Sequence, residues 1–473
     1  MSSELLAPLD LAFWHLESAG HPMHLGALAF FAPASVPVPA PAPASVPASA
    51  SAAAAGPGAR GGGRLLELLA GRAAAIPRLR MRVRDVLLPV GGAAWAMAKD
   101  FDVRRHVHHV RLPGGDFAAE ATAIAAELME RPLERGLPPW EMYLLTGADD
   151  KGEGPFAVLV KLHHALADGM RAVAIGAGIF DQIADARTVG VRRPRTVPPR
   201  SWTGDAWQVA GFARARIEEL GRAVGVGASV VRASRFDPRG LPALSAGSSG
   251  TRRLGTAVLD LADVQQVRRA VGGTANDVLL ATVAGALRRW MGARDERLPA
   301  ADPRALVPVS RRRPGSPSGS GNKFSAYLLP LPVSDPDPRS RLDAVRTAMD
   351  RNKAAGPSRG AGALAVLADQ LPPLAHRFGA PLAGGAARML FDVLVTNVPL
   401  PRSALSLGGC PLREVYPMAP LARGQSLAIA MSTYGGQVHV GLVADGKAVP
   451  DLDRLAESLS EELEELLGIA VTG

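Results

Sequence analysis

The chain has 473 residues, 47% of them hydrophobic, and carries a formal net charge of +9. That length exceeds what one hydrophobic core usually serves, so two domains are expected, and no run approaches the roughly 18 consecutive apolar residues of a membrane span. Cys410 is the only cysteine, which excludes an intrachain disulfide and a cysteine-based zinc site and fits a reducing, cytoplasmic setting. The positive charge suits nucleic acid, anionic lipid or a phosphorylated small molecule. Nucleic acid is the weakest of these. Arginine is scattered, aromatics are 5%, and no basic–aromatic interleaving appears.

In chain order, His24–Phe31 (HLGALAFF) predicts a strand. Residues 32–63 are Ala-, Pro- and Gly-rich with few large side chains, and read as a disordered surface insertion. A short helix is predicted over Arg64–Ala75 and another over Phe117–Met129, then strands over Glu141–Gly147 and Phe156–Leu162 and a helix over Met170–Phe180. The Pro/Arg-rich run 188–201 reads as an extended linker, with an amphipathic helix from Asp205 to Val224 and a second flexible stretch over Arg239–Arg253. Beyond it, helices are expected over Ala275–Met291, Arg341–Asn352 and Asp453–Leu467. Strands are expected over Arg304–Ser310, Ser325–Val333, Gln425–Tyr434 and Gln437–Asp445, the last two joined by a two-glycine hairpin turn. Strands and helices mix in both halves, which predicts an α/β or α+β protein. Its units are residues 1–187, a linker at 188–250 with one helix, and residues 251–473.

The stretch HHALADG, His163 to Gly169, follows a predicted buried strand and opens a predicted helix. Adjacent strand residues project to opposite sides, so only one of His163 and His164 can enter a given cavity. Three chemistries compete for the pair. A metal site needs several ligands converging on one point, which adjacent histidines do not easily provide. In a structural role, Asp168 caps the following helix and Gly169 permits close backbone approach. In the third, an imidazole with an ordinary pKa near 6.5 serves as a general base.

HHALADG matches the HHxxxDG motif of an acyl-CoA-dependent acyltransferase superfamily. The stretches LAPLDLAFWHLESAGHPMHLGALAFF, RPLERGLPPWEMYLL, GGTANDVLLATVAGALRRWM, RALVPVSRR, GNKFSAYLLPLPV, VTNVPLPR and the long closing run from Tyr416 resemble, in order, the bacterial wax ester synthase/diacylglycerol acyltransferases. Only the low-complexity insertion lies outside the likeness. The resemblance implies two chloramphenicol-acetyltransferase-like domains, each a mixed sheet packed with helices, with an active-site tunnel between them. It implies His164 as the base, His163 as its support, Asp168 as a loop-orienting residue, and Asn276 as the oxyanion donor, with the alternative that Asn276 and Asp277 cap the helix that starts there. Trp140 is expected in the core or tunnel wall, Asn397 in a loop, and Arg311–Arg313 either against CoA phosphates or in a solvated loop. No cofactor or metal is implied. Acyl-CoA is a substrate, with diacylglycerol or a long-chain alcohol as acceptor, collected at a membrane or lipid-inclusion surface. The chain departs from the pattern at Pro138-Pro139-Trp140, where leucine usually precedes the tryptophan, and at Leu244-Ser245, where Leu-Asn is common. Two alternatives stay open: a condensation-type acyltransferase that uses carrier-bound acyl groups, and a catalytically silent lipid- or CoA-binding homologue.

Overall fold

A computed structural model describes residues 4–33, 61–87, 90–148, 154–183, 243–295, 298–299, 301–310, 324–355, 377 and 390–472. In the first half these form β1 (Glu4–Leu5), α1 (Pro8–Leu16), β2 (His24–Phe31), α2 (Gly62–Ala75), β3 (Met81–Asp85), β4 (Ala93–Met97), β5 (Val107–Arg111), α3 (Phe117–Glu130), β6 (Trp140–Thr146), β7 (Phe156–His163), α4 (Gly169–Ile179) and β8 (Asp181–Ile183). The second half supplies β9 (Arg252–Asp260), α5 (Leu261–Val271), α6 (Ala275–Ala293), β10 (Arg304–Ser310), β11 (Phe324–Pro330) and α7 (Pro338–Ala355). It ends with β12 (Val393–Pro399), β13 (Ala404–Leu407), β14 (Cys410–Met418), β15 (Leu427–Tyr434), β16 (Gln437–Asp445) and α8 (Leu452–Thr472). Residues 34–60 of the low-complexity insertion, the linker from 188 to 242 with its expected helix, and Arg311–Arg313 lie outside the described residues. The end of the stretch expected to be flexible is ordered instead, because Leu244 is buried in a core and Arg252 opens β9.

Two mixed sheets carry the architecture. One runs β5-β6-β7-β2-β14-β13-β8 and the other β11-β10-β12-β15-β16-β9, with a small β1-β4-β3 sheet beside the first. The sheets are not consecutive pieces of chain. Residues 404–418, which the sequence places in the second unit, pair in the first sheet, where Val415 faces Ala29 and Pro417 faces Ala27. The expected hairpin is present: Gly435 and Gly436 turn with φ of 60° and 84°, the left-handed conformation that such a tight turn requires.

Each face of the sheets has its own core. Helices α5 to α8 cover one face of the second sheet, where Val440, Leu442, Ile429 and Val395 meet Leu280, Leu287, Leu342 and Leu459. The opposite face presents Ala428, Ala430 and Val443 to Leu28, Leu159 and Ala125 of the first half, and so joins the halves. The other face of the first sheet packs on α1, α2 and α4. No single helix among the described residues is long and apolar enough to cross a membrane.

Two polar side chains fix α3 against the first sheet. The Lys161 ammonium donates to the carbonyls of Leu128 (2.9 Å) and Arg131, and His24 Nε2 donates to Met129 O at 2.8 Å. The last carbonyls of a helix lack internal partners, so these buried donors satisfy groups that would otherwise be orphaned. Burial and the neighbouring Lys161 hold the His24 imidazole well below its ordinary pKa, so it is neutral.

Candidate active site

The HHALADG segment leaves β7 through a tight turn. His163 donates its backbone N–H to Pro139 O at 3.0 Å, and its carbonyl accepts the N–H groups of Leu166 (2.8 Å) and Ala167 (3.3 Å). The next residue turns the other way: His164 N–H donates to Met23 O at 2.8 Å. The Pro138-Pro139-Trp140 segment therefore bears directly on the turn, through the Pro139 carbonyl.

His164 faces a largely apolar cavity of about 460 Å³ between the two sheets. That volume is in the range of small-ligand sites. Leu25 and Ala27 of β2, Met170, Val173 and Phe180 on the α4 side, and Pro417 of β14 supply apolar wall. Asn397 of β12 and Ser432 of β15 are polar side chains along it. The His164 ring stacks on Phe13 of α1, with centroids 4.0 Å apart and planes 15° from parallel. Burial pushes its pKa down to about 4, with His163 adding to the fall and Asp168 opposing it. The imidazole is therefore neutral at neutral pH, the form that can accept a proton.

His163 points away from the cavity and is fully buried. Its Nδ1 accepts the N–H of Ala165 at 3.0 Å, so in the neutral ring the proton sits on Nε2, which lies 3.5 Å from Glu17 Oε1. Trp14 meets the ring edge-on at 5.0 Å. Burial pushes the Glu17 carboxyl up, but His163, the Met23 N–H and Arg135 outweigh it and leave the group below its ordinary value. Glu17 thus stays ionised and holds the His163 ring, which in turn closes the turn that aims His164.

Asp168 is the N-cap of α4: its Oδ1 accepts the Arg171 N–H at 2.8 Å, and it also borders the cavity. A Cβ at Gly169 would stand 3.4 Å from Val398 Cγ2, an ordinary contact, so the close approach expected there is not tight.

Three sequence-derived candidates lie elsewhere. Asp277 belongs to a capping box at the start of α6, where its Oδ2 accepts the Thr274 N–H (2.8 Å) and Thr274 Oγ1 accepts the Asp277 N–H (3.2 Å). Asn276 beside it is half-buried and is not among the cavity-lining residues. Trp140 is core: fully buried, its indole N–H donates to Leu79 O at 2.6 Å and its ring stacks on His106 at 4.6 Å. Asn397, expected in a loop, sits in β12 opposite Met431 and lines the cavity. Phe13, Trp14 and Glu17 were not singled out from sequence.

Residues 6–279 match the wax ester synthase/diacylglycerol acyltransferase catalytic domain, and residues 320–467 match the C-terminal domain of the same proteins. The chain belongs to this family. It is an acyltransferase, and its fold is of the chloramphenicol-acetyltransferase type, with two sheet-containing domains. A probable diacylglycerol O-acyltransferase of Mycobacterium tuberculosis is 31% identical over 427 residues, 86% of this chain and 88% of that protein. A second from the same organism is 29% identical over 98% of this chain and all of that protein. Among solved structures, a wax ester synthase/diacylglycerol acyltransferase from Marinobacter aquaeolei superposes with a TM-score of 0.66 at 23% identity, covering 99% of this chain and 100% of the other. A trichothecene 15-O-acetyltransferase from Fusarium sporotrichioides has the same fold, with a TM-score of 0.59 at 13% identity over 98% of this chain and 95% of its own.

Proposed function

We propose that the protein transfers a fatty acyl group from acyl-CoA to the hydroxyl of diacylglycerol, of a long-chain alcohol, or of both, with His164 as general base. The observation that carries this reading is a neutral imidazole on the wall of an apolar cavity between the two sheets. The acceptor hydroxyl gives its proton to His164 as its oxygen attacks the thioester carbonyl. The tetrahedral adduct then collapses, the carbon–sulfur bond breaks, and the departing CoA sulfur takes the proton back. The ester and free CoA leave, with no covalent enzyme intermediate. His163, held by Glu17, positions the turn, and Asp168 caps the helix that follows it. The mycobacterial relatives, named as diacylglycerol acyltransferases, favour diacylglycerol as one acceptor. Such acceptors barely dissolve in water, so the reading includes peripheral attachment to a membrane or lipid inclusion on the cytoplasmic side. The basic run 187–200 offers electrostatic attraction there, on the order of 1 kcal/mol per basic residue at an anionic surface.

The test is purified protein with palmitoyl-CoA and either dioleoylglycerol or hexadecanol, following CoA release and lipid products. His164→Ala should lose at least about 10²-fold in turnover with the fold retained, the scale of a general base. Near-normal turnover in a folded His164→Ala protein would overturn the assignment. Transfer only from a carrier-bound acyl group would favour the condensation-type alternative.

A further inference from the structure

Helix α1 sets two aromatic rings against the two histidines of the motif. Phe13 and Trp14 are neighbours on a helix, so their side chains diverge by about 100°. His163 and His164 leave the end of β7 on opposite sides. The two divergences match. Trp14 meets the His163 ring edge-on at 5.0 Å, and Phe13 lies flat on His164, with centroids 4.0 Å apart and planes 15° from parallel.

The helix that carries Phe13 is held independently of that stack. Leu9, Asp10, Leu11 and Trp14 are buried. The Arg135 guanidinium stands 4.8 Å over the Trp14 ring, and its Nη2 donates to Trp14 O at 3.3 Å. Glu17, just past the end of α1, lies 3.5 Å from His163 Nε2. The Phe13 ring is thereby pinned where it is. It is not among the cavity-lining residues, so it backs the imidazole and touches the base rather than the substrate.

The placement has a chemical consequence. In the transfer described above, His164 takes a proton from the acceptor and carries a positive charge until the CoA sulfur recovers the proton. The burial that keeps the ring neutral at rest makes that charge costly. The face of a phenyl ring is the negative side of its quadrupole, and it attracts a cation within about 6 Å of its centroid. The stack puts His164 well inside that range. The attraction is much weaker for a neutral imidazole, so it favours the transition state over the resting enzyme, which is what accelerates a chemical step.

We propose that Phe13 is a positioning residue for the acyl transfer, which fixes the plane of the His164 ring and stabilises the imidazolium formed as the acceptor is deprotonated. The inference rests on His164 as general base and deepens that reading by naming a residue that acts through it.

The experiment replaces Phe13 in the full chain by mono-, di- and trifluorinated phenylalanine. Fluorine drains the negative ring face while nearly keeping the size and shape of the ring, so a role in packing alone would be insensitive to the series. Single-turnover acyl transfer from palmitoyl-CoA to dioleoylglycerol or hexadecanol reads the chemical step. The rate should fall stepwise with fluorination, by roughly 2- to 30-fold in all, the range of a cation–π contact expressed as rate. KM for palmitoyl-CoA should hold, because the ring does not border the cavity. Phe13→Leu keeps apolar bulk and loses the ring face, and should fall at least as far as the trifluorinated protein. A rate that stays flat along the series, or a loss carried by KM, would overturn the Phe13 inference. If His164→Ala then still abolishes transfer, the general-base reading stands without it. Near-normal transfer by a folded His164→Ala protein would overturn both.

Discussion

Gly441→Ala tests whether the crossing of β14 over β16 sets the cavity. A Cβ built on Gly441 would stand 2.0 Å from Pro417 O and 3.1 Å from Pro417 C, and real Cβ contacts essentially never fall under 3.0 Å. The two strands would have to part by about 1 Å, and no side-chain rotation can relieve the clash because the obstacle is backbone. Both strands are tied on either side: Gly441 faces Ala430 and Thr256 in its sheet, and Pro417 faces Ala27 in the other. The Ser432 hydroxyl, which donates to Val415 O at 3.0 Å beside the crossing, would be stretched by the same movement. Overpacking usually costs 1–3 kcal/mol, and a backbone obstacle places this case at about 3 kcal/mol. For a unit of this size that corresponds to a fall in Tm of roughly 6–12 °C. Pro417, Ala430 and Ser432 also line the cavity, so kcat/KM should fall with stability. Misplacement by about 1 Å can cost up to about 10²-fold in rate. Calorimetry and steady-state acyl transfer read the two effects. Gly71→Ala, in the middle of α2 with open space around the new methyl group, is the control and should raise Tm slightly. A Gly441→Ala protein that melts within a degree or two of its parent with unchanged kcat/KM would refute the reasoning.

Three further outcomes are expected. The acidic limb of kcat/KM should lie near pH 4, because burial holds His164 at about that value and its neutral form is the active one, lost only as pH falls through it; a limb near 6.5 would show an imidazole with ordinary solvation. Glu17→Leu leaves the His163 Nε2–H facing no acceptor and should lower stability by about 1–3 kcal/mol, whereas Glu17→Gln keeps an oxygen opposite it and should recover most of the loss in a denaturant titration. Asp168→Ala removes the α4 cap and should cost about 1 kcal/mol, while Asp168→Ser keeps a capping oxygen; equal melting temperatures for the two variants would argue against capping.

What the sequence made legible is what local chemistry determines. Alternation and the two-glycine turn marked β15 and β16, and the strict side-to-side projection of adjacent residues separated His164, in the cavity, from His163, outside it. Asp168 read correctly as a cap because capping involves only the next three residues. The same local logic accounts for Asp277 but does not place Asn276: the hydroxyl of Thr274 completes the cap, and nothing in the spacing tells where the start of α6 points relative to a cavity built by other strands.

The rest depends on partners distant in the chain. Phe13 reaches His164 and Glu17 reaches His163 across nearly a third of the sequence, and neither α1 side chain carries a local sign of that pairing. Trp140 is drawn into the core by a carbonyl at Leu79 in the same way. The largest gap was β14. CPLREVYPM does not alternate and is not predicted as a strand, and even a strand's pattern specifies a face and not a neighbour, so a strand late in the chain can as easily complete the first sheet as extend the second. The one local trace was Gly441, a glycine inside a strand, which signals that another backbone comes close. That backbone is Pro417, and the contact joins the two sheets along the wall of the cavity that His164 faces. The site is therefore completed by chain that lies about 250 residues beyond the motif that announces it, which is why the chemistry could be read early and its enclosure could not.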